Sequence, residues 1–173
     1  SFGHALYAAI GAYSVAFTAR SFPGLDGILL LVIGVIGSML AGGVVGLFVV
    51  RYRGIFFGML NLALSMVVFS MLGKLYNLTG GTDGLRINRP TFFNQTLERD
   101  AFETSLLLLS LLFAALLVWG VQRYFKSAAG EALAAIKSNE TRLEYLGLSA
   151  RRILWNAYLL SAALVGLSGA MFG

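Results

Sequence analysis

Long apolar stretches broken by short polar ones set the pattern of this chain. Uncharged runs occupy residues 28–50, 55–73, 104–122 and 153–173, and a fifth run, residues 2–19, holds His4 as its one ionisable side chain. Each is close to the roughly 20 helical residues that a hydrocarbon core about 30 Å thick requires. Backbone polar groups in lipid must satisfy one another, which leaves helices or a closed barrel. Runs this long without strict two-residue alternation exclude the barrel. The expected fold is therefore all-α, a polytopic transmembrane helical bundle. Residues 1–173 read as a single membrane domain with an inner loop at 123–152 and an outer loop at 74–103. The first residue is Ser1 and the last run stops at Gly173, so a piece of a longer protein is expected.

Small and polar positions inside the runs have a helical rhythm. Gly34, Ser38, Gly42 and Gly46 recur every fourth residue, and Ala162, Gly166 and Ala170 repeat the spacing in the last run. Lipid gives helices no hydrophobic reason to associate, so a ribbon of small residues favours contact by letting backbones approach closely. Both ribbons are expected to serve bundle packing. In the third run Gly58, Asn61 and Ser65 fall at i, i+3 and i+7 and form a narrow polar stripe. Such a stripe makes an interhelical hydrogen bond or lines a pathway. His4 shares a helix face with Ala8, Ala12 and Ala16 at i+4 spacing and is expected to point at a protein neighbour. An ionisable group at membrane depth is a functional candidate, and an imidazole bonded to a neighbouring helix is the structural alternative.

Composition and charge narrow the function. The chain is 58% hydrophobic and 12% charged, against about 25% charged in an ordinary soluble domain. Its net charge of +5 comes from basic residues that flank the runs, which suits lipid headgroups and topology and gives no reason to invoke nucleic acid. Residues 51–54 and 122–152 share one side and hold Arg51, Arg53, Arg123, Lys126, Lys137, Arg142, Arg151 and Arg152. The opposite side holds Arg20, Lys74, Arg86, Arg89 and Arg99. The positive-inside rule makes the first side cytoplasmic. None of the eight acidic residues lies within a run, so the chain lacks the intramembrane carboxylate that usually couples a carrier to an ion gradient. With no cysteine and one histidine, thiolate and His-rich metal sites are excluded, and little remains for acid-base chemistry. No phosphate-loop motif is present, as Gly73 and Lys74 lack its other members. Any ATP and Mg would be held by partner subunits, and this chain is expected to bind no cofactor.

Residues 127–147 change character. Leu133 with Ile136 and Leu143 with Leu146 are i, i+3 apolar pairs, Asn139 suits a helix N-cap with Glu140 in the first turn, and Gly147 suits a helix stop. These features predict a pair of short amphipathic helices that lie on lipid or dock in a partner's groove, and the small apolar faces and few basic residues favour the groove. The run Gly130, Glu131, Ala132, Leu133, Ala134, Ala135, Ile136, Lys137, with Asn139, Glu140 and Leu146, Gly147, Leu148 behind it, resembles the ATPase-contacting loop of branched-chain amino-acid ABC transporter permeases. Ser1 to Ala5, Gly11 to Tyr13, Arg51 to Phe57, Leu78 to Leu85 and Ser161 to Ala170 are similar, in the same order, to the M-type subunit of that family.

The resemblance implies a permease of the bacterial inner membrane that works with a second permease subunit, two ABC ATPase subunits and a periplasmic substrate-binding protein. Gly130, Glu131, Ala132, Leu133, Ala135, Ile136, Asn139, Glu140, Arg142, Leu143, Leu146 and Gly147 would then form the ATPase-coupling loop. Candidates for the pathway are His4, Gly58, Asn61, Ser65 and the outer-loop residues Gly80, Gly81 and Asp83. A turn is the simpler role for the last three. Urea, amides or other amino acids remain alternative substrates, and an ion-coupled secondary carrier is the alternative class.

Overall fold

A computed structural model of the protein describes residues 3–22, 24–81, 84–85 and 99–172, with the side chains at 77–78, 99–101, 137–139 and 142 outside the description. The described chain is α1 (His4–Ser21), α2 (Gly27–Val49), α3 (Ile55–Lys74), α4 (Tyr76–Thr79), α5 (Arg99–Phe125), α6 (Ala128–Tyr145) and α7 (Ala150–Phe172). The fold is all-α. Four stretches are long and apolar enough to cross a membrane: Gly27–Val49, Ile55–Lys74, Phe102–Phe125 and Ala150–Phe172. The chain is a multi-pass membrane protein. The first apolar run differs from expectation, since α1 is helical but is not among these four. Its 18 residues include His4, Tyr7, Tyr13, Ser14, Thr18 and Arg20, which dilute its apolar character.

The single domain read from the sequence divides into two compact units, Ser1–Thr96 with Leu159–Gly173, and Leu97–Tyr158. In the first unit the two small-residue ribbons face each other. A Cβ placed on Gly34 would lie 2.7 Å from the Ala170 Cβ, one on Gly166 would lie 2.2 Å from the Ser38 Cβ, and one on Gly42 would lie 2.4 Å from the Ala162 Cβ. The three pairs step four residues forward along α2 and four residues back along α7, so the helices run antiparallel with small residues in register. Helix α1 closes the wedge. A Cβ on Gly11 would sit 2.3 Å from the Gly166 carbonyl oxygen, and one on Gly169 would sit 2.0 Å from that of Ala8. Ser38, fully buried, donates its hydroxyl to the Tyr7 carbonyl at 2.9 Å. Gly46 is buried at the far end of the same ribbon.

The turn between α2 and α3 is short because the last carbonyls of α2 are taken up locally. Arg51 N–H donates to Phe48 O at 3.3 Å, Tyr52 N–H donates to Val49 O at 3.1 Å, and the Arg53 guanidinium donates to Val50 O. Beyond it, α3 presents Ile55, Phe56, Met59, Met66 and Phe69 outward, as a helix in contact with lipid or further protein can.

In the second unit the sequence predicts two short helices between residues 127 and 147, and the structure has one, α6, continuous over 18 residues. Asn139 lies inside it, away from any helix start. The stretch from Glu131 to Leu146 contains neither Gly nor Pro, and an Asn inside a helix costs only a few tenths of a kcal/mol relative to the best helix formers. A local capping preference is too weak to break such a helix. Helix α5 begins at Arg99, several residues before the expected span, which brings Glu103 into the first turn of its apolar stretch.

Candidate functional site

The loop expected to couple to a partner is α6 with its two corners. At its start, Ser127 joins two helices. Its N–H and its hydroxyl both donate to the Tyr124 carbonyl of α5, at 3.0 and 2.6 Å, while its own carbonyl accepts from Glu131 N–H of α6 at 3.0 Å. Gly130 is buried one turn on, and a Cβ there would lie 2.5 Å from the Cα and the carbonyl oxygen of Phe125 and from the carbonyl oxygen of Tyr124. Only a residue without a side chain lets the first turn of α6 rest on the last turn of α5.

At its end, α6 closes in a Schellman motif. Gly147 has φ of +79°, its N–H donates to Glu144 O at 3.0 Å, and Leu148 N–H donates to Leu143 O at 3.1 Å. This is the helix stop expected of Gly147, and it satisfies carbonyls that a helix end leaves open. Leu143 is buried at 4% exposure, whereas Leu146 is 77% exposed and Tyr145 85%. Along the helix Glu131 is exposed, and Ala132, Leu133, Ala135, Ile136 and Glu140 are half-buried. Asn139 and Arg142 lie on α6 with their side chains outside the description. The apolar residues that pair at i, i+3 in sequence therefore separate: Leu143 turns inward and Leu146 outward.

The intramembrane polar positions lie in the first unit. His4 Nε2 and Ser161 Oγ are 2.9 Å apart, linking α1 to α7. Asn61 is 1% exposed. Its amide donates to Phe57 O, one turn back on α3, at 3.0 Å. A Cβ on Gly3 would lie 3.0 Å from the Asn61 Cβ, so the start of α1 rests on this side chain. Gly58 and Ser65 are half-buried, and nothing lies within 4 Å of a Cβ built on Gly58. Asn61 is sealed while its stripe neighbours are not.

The outer glycines form a tight turn after α4. Gly80 and Gly81 have φ of +72° and +63°, and a Cβ on Gly80 would lie 2.3 Å from Gly84 O. Thr79 stabilises the entry by donating its hydroxyl to Leu72 O at 2.6 Å, within reach also of Leu75 O at 2.9 Å. Asp83 lies outside the described residues.

Three contributors escape a reading of sequence alone. Ser161 is one hydroxyl among several in an apolar run, Ser127 reads as loop, and Tyr145 falls outside the apolar pairs. The available signal was partial: a Ser next to a helix start is a common cap, while nothing along the chain pairs His4 with residue 161.

Among the described residues no group of three or more His, Cys, Asp or Glu side chains could hold a metal ion. Over residues 1–173 the chain matches the family model for the branched-chain amino acid transport system / permease component. Two relatives are high-affinity branched-chain amino acid transport system permease proteins LivM. That of Escherichia coli (strain K12) is 29% identical over 98% of this chain and 45% of its own length. That of Salmonella typhimurium (strain LT2) is 28% identical over the same shares. The chain thus spans about half the length of the curated relatives it matches. No solved structure matches it. The matched family is one of transport permeases and not of catalysts. The chain belongs to the branched-chain amino acid transport system permease family.

Proposed function

We propose that this chain forms part of the membrane pathway of an ATP-driven importer for branched-chain amino acids in the bacterial inner membrane. The observation that carries the reading is α6, a polar-surfaced helix of 18 residues set between two membrane-crossing stretches, on the side that charge makes cytoplasmic. A helix there with an exposed apolar tip at Tyr145 and Leu146 is suited to a groove in a partner protein. The partners are two ATPase subunits, which hold ATP and Mg, together with a second permease subunit and a periplasmic substrate-binding protein. Glu131 and Glu140 border the contact with polar bonds, and Leu133 and Ile136 support the helix surface that makes it.

On the substrate side, Asn61, sealed at 1% exposure, serves packing, and the half-buried His4–Ser161 pair ties α1 to α7. Gly58 and Ser65 keep the α3 stripe as the pathway candidate, because the space above Gly58 is open. The Gly80–Gly81 turn shapes the outer mouth, where a binding protein delivers its cargo.

The test is purification of the full transporter carrying Leu133→Asp and Ile136→Asp. Loss of both ATPases from a permease still in the membrane is expected, and retention of both refutes the docking role. Uptake of labelled leucine, isoleucine and valine with the cognate binding protein, in competition with urea and amides, checks the substrate class.

A further inference from the structure

The two ends of α6 are built differently, and that difference assigns a direction to whatever moves it. At the α5 end, Ser127 bonds to both helices at once, through its N–H and hydroxyl to Tyr124 O and through its carbonyl to Glu131 N–H. Gly130 leaves no space there, as a Cβ would strike the backbone of Tyr124 and Phe125 at 2.5 Å. Close backbone contact of this kind has little slack, because packed interiors resist continuous deformation. At the α7 end the backbone bonds close each helix on itself. Gly147 and Leu148 N–H groups return to α6, and the Ser149 carbonyl accepts from Arg152 and Ile153 of α7 at 3.1 and 3.2 Å. Residues 146–149 between them are exposed, and nothing lies within 4 Å of a Cβ built on Gly147. Buried Leu143 and Ala150 bracket this open link.

We propose that α5 and α6 form one rigid elbow, fixed by Ser127 and Gly130, and that α6 turns relative to α7 at the link 146–149. The proposal rests on the reading of α6 as the ATPase-contacting helix, and it makes α5 the span that receives the stroke. Ser127 and Gly130 are positioning residues: they touch no substrate and act by fixing the angle between two helices. A link of exposed residues with open space beside its glycine is where a hinge rotation is absorbed.

Electron spin-label distances on the full transporter, with both ATPases bound, test this. Gln122→Cys, Thr141→Cys and Asn156→Cys place labels at exposed positions on α5, α6 and α7, and this chain has no cysteine of its own to remove. Between the nucleotide-free and the ATP-trapped state, the 122–141 distance is expected to stay within about 2 Å, the scale of ordinary helix adjustment, while the 141–156 distance changes by about 5 Å or more. A constant 141–156 distance with a changing 122–141 distance overturns the proposal. So does constancy of both with the ATPases retained, an outcome that leaves the docking reading standing. Release of the ATPases by the Leu133 and Ile136 substitutions, measured separately, addresses the docking reading and not the hinge. In the same assay Ser127→Ala with Gly130→Ala is expected to let the 122–141 distance vary with nucleotide. Transport should be lost while the ATPases stay bound and hydrolyse ATP. Unaltered transport with a fixed 122–141 distance overturns the assignment of these two residues.

Discussion

His4 and Gly166 stabilise the α1, α2 and α7 wedge by opposite means, and substitution distinguishes them. His4 contributes one hydrogen bond, to Ser161, of a kind that contributes about 0.6–2 kcal/mol between helices in lipid. Gly166 contributes by having nothing where Ser38 must fit, and filling a well-packed space typically costs about 1–3 kcal/mol or more. Unfolding in detergent is therefore expected to show His4→Ala as the milder change and Gly166→Val as the more severe. A Gly166→Val protein as stable as the parent would mean that the ribbons do not meet. The same contrast explains what the sequence discloses. An absent side chain repeated every fourth position is visible in one dimension, so the ribbons on α2 and α7 could be read directly. A hydroxyl that receives an imidazole from a residue 157 positions away leaves no such trace.

At the scale of elements, α6 carries both the clearest success and the clearest failure of the sequence reading. Gly147 announces its stop because few other residues take a positive φ without strain. The expected break at Asn139 is absent because a capping preference near 1 kcal/mol competes with the hydrogen bonds of an uninterrupted helix. Continuity also redistributes the apolar residues, turning Leu143 inward and leaving Tyr145 and Leu146 as an exposed tip. That tip separates docking from folding more cleanly than the middle of the helix does. Leu133 and Ile136 are half-buried, so charging them perturbs α6 itself, whereas Tyr145 and Leu146 carry little of the helix's own packing. Tyr145→Ser with Leu146→Ser is expected to weaken ATPase retention at least about tenfold, as loss of about 1.4 kcal/mol at an interface would. Thermal stability of the isolated permease should stay within about 0.5 kcal/mol of the parent. Unchanged retention would move the contact elsewhere on α6.

Across the whole molecule, the proposed role of α6 depends on sidedness, which does not change with the status of α1. Helix α1 is not among the four membrane-crossing stretches, yet the links that matter follow α2 and α5, and the parity between them is set by α3 and α5 alone. If α3 and α5 each cross once, residues 51–54 and 126–149 share a side whether or not α1 crosses. We propose from the balance of eight basic residues against five that this side is cytoplasmic, and thiol labelling measures it directly. Exposed Ala134 on α6 and exposed Tyr76 on α4 provide the positions. In intact cells a membrane-impermeant thiol reagent is expected to label Tyr76→Cys and to spare Ala134→Cys until the membrane is opened. Labelling of Ala134→Cys from outside would put α6 beyond the reach of any ATP-hydrolysing partner. The four crossings would then require a different source of work, and because no acidic residue lies at mid-membrane depth in these stretches, an ion gradient would have to act through residues beyond these 173 positions.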